Sequence, residues 1–437
     1  MTKILLAALC AAAMALPAST AYAVQSPEIA AAADTAFDRR AAELVDLLTA
    51  RIPFADYFDP SFQTAIPEAQ FKAITASLIA QYGPPLSVDK VTSANGRAGT
   101  VLLRFEKGVA TVALEVGPGT DARVTGLRIA NFEMADDSFD KVAAEIAALP
   151  GRTGFLVAEL DGGMVKPHAA AHADEQFAIG SIVKLYILDE LAAQVATGKR
   201  RWSDVVPLSH QSFSSAGTAN WPKDTPVTVQ SLANWMISVS DNSATDTLIH
   251  LLGRKNIEAR MRAAGHSAVS RNIPLLTTVE AFALKGDNFA AERAAFIAGD
   301  DQAQRALIDA KADRLILSNV DGVSFSGGPR FIDSLEWFAS PNDIARAMID
   351  LRTRGSDTAM SAMAINNGVG GGPAAPWSYL GYKGGSELGV VAMSLLGQRK
   401  SDGKWFVVTA SWNNPDAAVP TETMASLITR LLALAAK

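Results

Sequence analysis

The stretch FAIGSIVKLY, at residues 177–186, puts Ser181 and Lys184 three positions apart, where a polar segment becomes an apolar run. In a helix that begins here, residues i and i+3 lie on one face, and the first turn offers free N–H groups and the positive end of the dipole. The same spacing recurs elsewhere, at Ser87 and Lys90, Ser138 and Lys141, and Ser401 and Lys404. The pair alone therefore does not separate a nucleophile and its base from an ordinary helix start.

The apolar neighbours of this pair favour the chemical interpretation. A serine hydroxyl is a weak nucleophile until a base takes its proton, and lysine acts as that base only when burial or nearby cations lower its pKa. A surface lysine would extend into solvent instead. Here the segment supplies burial through Phe177, Ile179, Ile182, Val183 and Leu185.

Two further polar stretches have the residue types that such a site needs. Thr228 has the sequence context of a helix N-cap, and Ser240-Asp241-Asn242 follows as a polar loop between two helical segments. A second hydroxyl there could pass a proton to a leaving group, and an amide could orient substrate and lysine. Later, GYKGGS at 381–386 enters a strand, where glycines let substrate lie against the edge and a backbone N–H can stabilise an oxyanion.

In this order, SIVK (181–184), SDN (240–242) and KGG (383–385) resemble the S-x-x-K, S-D-N and K-T-G motifs of class A β-lactamases and penicillin-binding proteins. The resemblance covers about residues 138–437. It is closest to the two-domain serine hydrolases typified by the clavulanic acid gene cluster, which join a class A fold to an N-terminal steroid-isomerase-like domain. Two later segments resemble signatures of that branch, at 272–280 and 336–341.

The resemblance implies an acyl-enzyme mechanism without a cofactor. Ser181 would be the acylated nucleophile, Lys184 its base or proton relay, and Ser240 the proton donor to the leaving group. Lys383 would assist Ser240 and attract anionic substrate groups. Substrate would be bound by Asn242, Gly385 and Ser386. The N–H groups of Ser181 and Ser386 would form the oxyanion hole.

Three departures from the family pattern limit that implication. The separation of Ser240 from Lys383, 143 positions, predicts an insertion within 286–330. No E-x-x-N stands where the family has its deacylating glutamate, so we expect a β-lactam acyl-enzyme to hydrolyse slowly. Gly384 replaces a hydroxyl residue that helps to bind the β-lactam carboxylate, and we expect Ser386 to compensate in part.

Glu280 and Glu336 are the acidic candidates for activating water. Each has a structural alternative: Thr278 to Glu280 can begin a helix whose dipole favours acid, and Glu336 beside Trp337 can be a buried, hydrogen-bonded support. The sequence leaves these alternatives open.

The first 23 residues predict a secretory signal peptide. They combine Lys3, an apolar core and a small-x-small site ending at Ala23, and the core is shorter than the roughly 20 residues that span a bilayer. We therefore expect an exported protein, periplasmic or secreted, cleaved near Ala23, with a leader at 24–35 and no later membrane span. Cys10 is the single cysteine, so the mature chain would hold no disulfide or thiolate site.

The rest of the chain predicts two domains. Apolar residues recur at helical spacing over 37–48 and 68–82, and four strand-like segments follow up to Met134. This predicts an α+β domain at 36–135, the steroid-isomerase-like unit, which we interpret as a structural or substrate-gating accessory. The unit at 136–437 has strands at both ends with helices between, so the two ends must pair in one antiparallel sheet flanked by helices, a β-lactamase/transpeptidase-like α/β domain.

Composition excludes several other functions. The five histidines are scattered without metal-binding spacing, so we expect no metal site. The net charge is −6 and no dense run of Lys or Arg occurs, which argues against nucleic acid as a partner. The expected partner is a small-molecule ester, a β-lactam or a peptidoglycan-like substrate. Two alternatives remain: a D,D-peptidase-like enzyme, and a non-catalytic protein that binds cell-wall or β-lactam ligands.

Overall fold

The computed structural model describes residues 35–119, 121–322 and 327–437. The predicted signal peptide at 1–23, and all of the predicted leader at 24–35 except its last residue, lie outside the described residues.

The first part of the chain places helices on a four-stranded antiparallel meander. The predicted helix over 68–82 and the four predicted strands are confirmed, whereas the apolar repeat over 37–48 forms two helices that break at Glu43. The strands follow chain order from β1 to β4. The elements are α1 (Ala36–Ala42), α2 (Leu44–Leu48), α3 (Phe54–Tyr57), α4 (Pro60–Ala65), α5 (Glu68–Tyr82), β1 (Pro85–Ser93), β2 (Ala98–Phe105), β3 (Gly108–Val116) and β4 (Val124–Met134).

This part has a hydrophobic core of its own. Phe37, Tyr57 and Phe58 are fully buried, and the rings of Phe58 and Phe62 stack with their centroids 4.0 Å apart. Along β3 every second residue is buried, as expected for a sheet with one face on the core. The domain boundary near residue 135 and the likeness to a steroid isomerase stay predictions.

The second part is built on a five-stranded antiparallel sheet with strand order β11-β12-β13-β5-β6. Its strands are β5 (Arg152–Asp161), β6 (Met164–Ala171), β11 (Trp377–Glu387), β12 (Val390–Arg399) and β13 (Trp405–Asn413). Short strand pairs join β7 (Phe177–Ala178) to β10 (Phe338–Ala339), and β8 (Val205–Pro207) to β9 (Pro226–Thr228). The helices are α6 (Phe139–Ala147), α7 (Lys184–Ala196), α8 (Val229–Ser238), α9 (Asn242–Leu252), α10 (Arg254–Ala263), α11 (Thr278–Lys285), α12 (Ala290–Ala298), α13 (Asp301–Ala310), α14 (Pro341–Thr353), α15 (Asp357–Ala364), α16 (Gly371–Ala374) and α17 (Thr421–Ala435).

The predicted pairing of the two ends is confirmed. β13 lies antiparallel to β5 from Trp405 opposite Leu160 to Asn413 opposite Arg152. Because side chains alternate along a strand, Phe155 and Val157 of β5 pack with α6 and α17, while Leu156 faces the opposite helical layer. The sheet is therefore covered on both sides, which explains why β12 reads as a nearly continuous apolar run.

The long connection between the second and third motifs contains helices, and the predicted insertion relative to the family stays a prediction. α12 and α13 lie within 286–330, between α11 and the segment that leads to β10. None of the helices within the described ranges is long and apolar enough to cross a membrane.

One ion cluster ties the last helix to the segment before α6. Arg430 of α17 donates to both carboxylate oxygens of Asp137, at 2.9 and 2.8 Å, and also to Glu145 of α6, at 2.6 and 2.9 Å. Asp137 is almost fully buried in this contact, so its charge depends on the arginine for compensation.

We predict that Arg430→Met lowers the free energy of unfolding by about 2 kcal/mol, because the buried Asp137 carboxylate loses charged hydrogen-bond donors. Arg201→Met is the control, since Arg201 pairs with Asp204 on the surface with 81% of its side chain exposed. Urea unfolding measures both variants. Equal, small losses would show that Arg430 contributes no more than a surface ion pair.

Candidate active site

Ser181 lies in a 3₁₀ turn, Gly180–Val183, that leads directly into α7. The sequence predicts Ser181 in the first turn of the α-helix, and the structure corrects this by one turn; such 3₁₀ turns are common at helix N-termini. Buried residues hold the turn, since Ile179, Ile182 and Val183 belong to the main core. Ser181 itself is half-buried, so part of its surface remains accessible to solvent.

Lys184 is fully buried, and its amine contacts the SDN loop. Its Nζ donates to the Ser240 carbonyl at 2.6 Å, to Ser240 Oγ at 3.0 Å and to Asn242 Oδ1 at 2.7 Å. Within the described part of the chain Ser181 Oγ makes no hydrogen bond, so a direct contact with Lys184 stays a prediction. Catalytic hydrogen bonds in unliganded sites are often long and tighten only when substrate binds.

Ser240 is the point where the motifs meet. Its hydroxyl oxygen lies 3.0 Å from Lys184 Nζ and 3.0 Å from Lys383 Nζ. A hydroxyl group has one hydrogen to donate, and its oxygen can also accept hydrogen bonds. Ser240 can therefore accept from one charged amine and donate to the other when that amine is neutral.

The SDN loop has a strained backbone that its neighbours stabilise. Ser240 has φ +60°, a left-handed conformation that is uncommon for a residue with a side chain. The buried carboxylate of Asp241 accepts from the N–H groups of Gly217, Thr218 and Ala244, at 2.8, 2.8 and 2.9 Å, which caps α9 and fixes the turn. Asn242 follows as the first residue of α9, and its Nδ2 donates to the Phe213 carbonyl at 2.8 Å.

Burial changes the protonation of both lysines. It lowers the pKa of Lys383 to about 7. It also lowers the pKa of Lys184 well below its usual range; the charge of Lys383 adds to this effect, and the carboxylates of Asp246 and Asp241 oppose it. A neutral amine is therefore present near neutral pH.

The strand β11 brings the third motif against the 3₁₀ turn Gly180–Val183, which we call the nucleophile turn after the role predicted for Ser181. A Cβ atom on Gly385 would lie 2.0 Å from the Ile179 carbonyl oxygen and 2.6 Å from Ser181 N, so only glycine permits this approach. A Cβ on Gly180, which has φ +48°, would come 3.3 Å from Ser386 N. The N–H groups of Ser181 and Ser386 thus belong to adjacent backbone segments, as an oxyanion hole requires.

The two candidate acids have structural partners. Glu280 forms a capping box with Thr277 at the start of α11, and Arg254 donates to its other oxygen at 2.7 Å. Glu336 is buried, accepts from Lys285 Nζ at 2.8 Å and caps the N–H of Trp337 at 3.1 Å. Both structural alternatives from the sequence are thus observed, and a water-activating role for either residue stays a prediction.

Three further charged residues near the site, Lys285, Glu387 and Asp246, have no recognisable pattern in the sequence. Lys285 joins Glu336 to Glu387, the residue directly after Ser386. Asp246 is fully buried, accepts from the first N–H groups of α11, and burial raises its pKa to about 6. In the sequence these three are recognisable only as charged residues within apolar segments. The residues they contact cannot be identified there, because those partners are distant along the chain.

A sequence profile described as the beta-lactamase enzyme family matches residues 137–366, which is more than half of the chain. The match includes Ser181, Lys184 and the SDN loop and ends before Lys383. No curated protein sequence matches the chain.

Several solved structures are similar to part of this chain. A beta-lactamase from Sphaerobacter thermophilus DSM 20745 is 20% identical, with 68% of this chain and 95% of that chain covered and a TM-score of 0.47. A beta-lactamase from Chitinophaga pinensis DSM 2588 is 15% identical, with coverage of 68% and 98% and a TM-score of 0.46. A mutant of PBP-A, in an acyl-enzyme complex with penicillin G, is 14% identical, with coverage of 68% and 93% and a TM-score of 0.45.

We predict that Lys383 loses its proton near pH 7, because its ammonium group is removed from water. Protein labelled with ¹³C at lysine Cε, titrated by NMR, should show a resonance with this midpoint that disappears in Lys383→Met. A Lys383 titration near the usual value of about 10.4 would contradict the burial argument.

We predict that Gly385→Ala destabilises the site region, because the new methyl group meets backbone atoms of the nucleophile turn that cannot move aside. The expected loss in the free energy of unfolding is roughly 1–3 kcal/mol. Gly163→Ala is the control, since its Cβ would have no heavy atom within 4 Å and the residue has no positive φ. Thermal unfolding measures the midpoint of both variants. Equal midpoints would contradict the close approach of Gly385 to the nucleophile turn.

Proposed function

We propose that this chain, which belongs to the beta-lactamase enzyme family, is a serine hydrolase that forms an acyl-enzyme on Ser181. The observation that carries the proposal is Ser240 Oγ, placed 3.0 Å from the buried amines of both Lys184 and Lys383. Two amines with lowered pKa around one hydroxyl form a route for a proton to and from a reacting serine.

Acylation would carry one proton from Ser181 to Lys184, and one from Lys184 through Ser240 to the leaving group. Neutral Lys184 takes the proton from Ser181 Oγ as that oxygen attacks the substrate carbonyl carbon. The negative charge on the carbonyl oxygen is stabilised by the N–H groups of Ser181 and Ser386. When the tetrahedral intermediate breaks down, the leaving group takes a proton from Ser240 Oγ, which regains one from the Lys184 ammonium. The acyl group stays on Ser181, and Lys184 is neutral again.

Asn242, Gly385 and Ser386 would bind the substrate. The contacts of Asn242 with Lys184 and with the Phe213 carbonyl orient its amide at the cleft. Gly385 lets β11 approach the nucleophile turn at backbone contact, so that substrate bound along β11 lies beside Ser181. Lys383 contributes charge that attracts an anionic group when it is protonated.

The substrates we propose are esters, and β-lactams that are turned over slowly. The carboxylate of Glu280 is engaged by Thr277 N–H and Arg254, and that of Glu336 by Lys285 and Trp337 N–H. Neither contact pattern leaves an obvious base to activate water against the acyl group. This supports a long-lived acyl-enzyme, and it keeps a penicillin-binding protein without turnover as the second candidate.

The proposal extends to location and domain roles. Export to the periplasm or outside the cell, with cleavage near Ala23, agrees with a substrate such as an ester, a β-lactam or a peptidoglycan-like peptide. The meander unit at 36–135 would be a steroid-isomerase-like accessory to the hydrolase unit at 136–437. Residues 81 and 426 join the two, since Gln81 donates to Ser426 Oγ at 2.6 Å.

We predict that p-nitrophenyl acetate and penicillin G each add an acyl mass to the protein and that Ser181→Ala abolishes both adducts. Lys184→Ala should slow acylation about 10²- to 10⁴-fold, because it removes the base. Intact-mass spectrometry with stopped-flow release of p-nitrophenol measures both effects.

The outcomes separate the candidates. A burst followed by steady turnover identifies the hydrolase, and a stable adduct without product identifies the non-catalytic binder. Acylation that persists in Ser181→Ala would disprove the assignment of the nucleophile, and full activity in Lys184→Ala would remove lysine from the mechanism. Ser181→Ala and Lys184→Ala should retain the wild-type circular dichroism spectrum.

A further inference from the structure

A buried ion cluster lies beside the proposed oxyanion hole. Lys285, the last residue of α11, has only 1% of its side chain exposed. Its Nζ donates to Glu336 at 2.8 Å and to both oxygens of Glu387 at 2.6 and 2.7 Å. The three residues come from three separate segments: the end of α11, the loop before β10, and the end of β11.

The cluster places one cation between two carboxylates. Burial would lower the pKa of Lys285, but the two carboxylates raise it, so the lysine stays charged. Burial and the charge of Glu336 raise the pKa of Glu387, and its contact with the Lys285 ammonium group opposes this rise. The amine is therefore the group that holds the two acidic segments together.

One acidic residue is adjacent to a proposed oxyanion donor, and the other is adjacent to the residue that anchors the turn of the second donor. Glu387 directly follows Ser386 and ends the edge strand β11. Glu336 directly precedes Trp337, whose carbonyl accepts the N–H of Ile179 at 2.9 Å, immediately before the nucleophile turn. Lys285 thus links the segment that carries Ser386 to the segment that anchors the turn of Ser181.

Hydrogen bonds between strands do not fix the separation between β11 and the nucleophile turn. β11 is the edge strand of its sheet and pairs with β12 alone among the described strands, so its other side meets the turn without a partner strand. An oxyanion hole needs both donors within a few tenths of an ångström of a fixed separation. A short, buried ion pair at the end of β11 supplies that constraint.

We propose that Lys285 is a positioning residue that sets the spacing of the Ser181 and Ser386 N–H donors by binding Glu387 and Glu336 at once. The proposal rests on the proposed acyl-enzyme function, because it assigns a role in the same site. Lys285 contacts no reacting atom; it acts through the two backbone segments that its carboxylate partners belong to.

The experiment compares Lys285→Met with Arg305→Met. Arg305 of α13 also neutralises a buried carboxylate, Glu258, at 2.6 Å, but belongs to neither oxyanion segment. Acylation by p-nitrophenyl acetate and the affinity for phenylboronic acid are measured, since a boronate on Ser181 places an oxygen in the oxyanion hole. Thermal unfolding reports the stability of each variant.

We expect Lys285→Met to lower the acylation rate constant and the boronate affinity ~10- to 100-fold each, less than the full loss of a donor. KM for the ester should change little, because the donors act mainly in the transition state. Arg305→Met should change the acylation rate constant and the boronate affinity by less than about threefold. This holds even if its unfolding midpoint falls as much as that of Lys285→Met. Lys285→Arg, which keeps the charge and the reach to both carboxylates, should recover most of the activity.

The proposal is overturned if Lys285→Met and Arg305→Met slow acylation equally at matched stability. It is also overturned if Lys285→Arg is acylated as slowly as Lys285→Met. If Lys285→Met does not fold, Glu387→Met, which removes both acceptor oxygens of this partner, takes its place, with the same expected loss of boronate affinity; an unchanged affinity overturns the proposal. A wild-type protein that no ester or penicillin acylates refutes the proposed function itself, and Lys285 loses this role with it. Acylation of the wild-type protein therefore distinguishes failure of the Lys285 proposal from failure of the proposed function.

Discussion

One hydroxyl between two buried amines determines the chemistry of this protein. Ser240 Oγ lies at hydrogen-bonding distance from Lys184 and Lys383, and the core excludes water from both amines. Removal from water weakens the charged form of both amines, and the charge of Lys383 adds to this effect at Lys184. The burial that stabilises the fold is thus also what lowers the pKa of both lysines.

The fold holds these groups together by constraints on three segments. Pairing of β5 with β13 closes the sheet from its two ends and brings β11 beside the nucleophile turn through β12. The carboxylate of Asp241 keeps Ser240 in a left-handed conformation through three backbone N–H groups. Glycine at 385 allows strand and turn to meet at backbone contact. The site needs all three constraints at once.

The candidate acids illustrate where sequence reasoning meets its limit. Glu280 can be interpreted as a helix-start residue because the capping box is a local pattern, and the structure has that box. Glu336 is a candidate from its sequence context, but its partner Lys285 is 51 positions away and Glu387 is 102 positions from that lysine. No periodicity or cap connects residues at such separations, so the cluster beside β11 was not foreseeable.

The sequence by itself determined the elements and the residue types of the site. Helical and strand periods, capping residues and glycine positions act over a few neighbours, which is why α5, the meander and the terminal helix could be assigned from the sequence. The three motifs were assigned through their resemblance to the class A motif set. Tertiary structure alone decided that Ser181 sits in a 3₁₀ turn, that both lysines lose contact with water, and that Lys285 joins two distant carboxylates. These properties depend on the surroundings that packing creates, because burial and charge pairing are set by atoms that the chain brings close only after it folds.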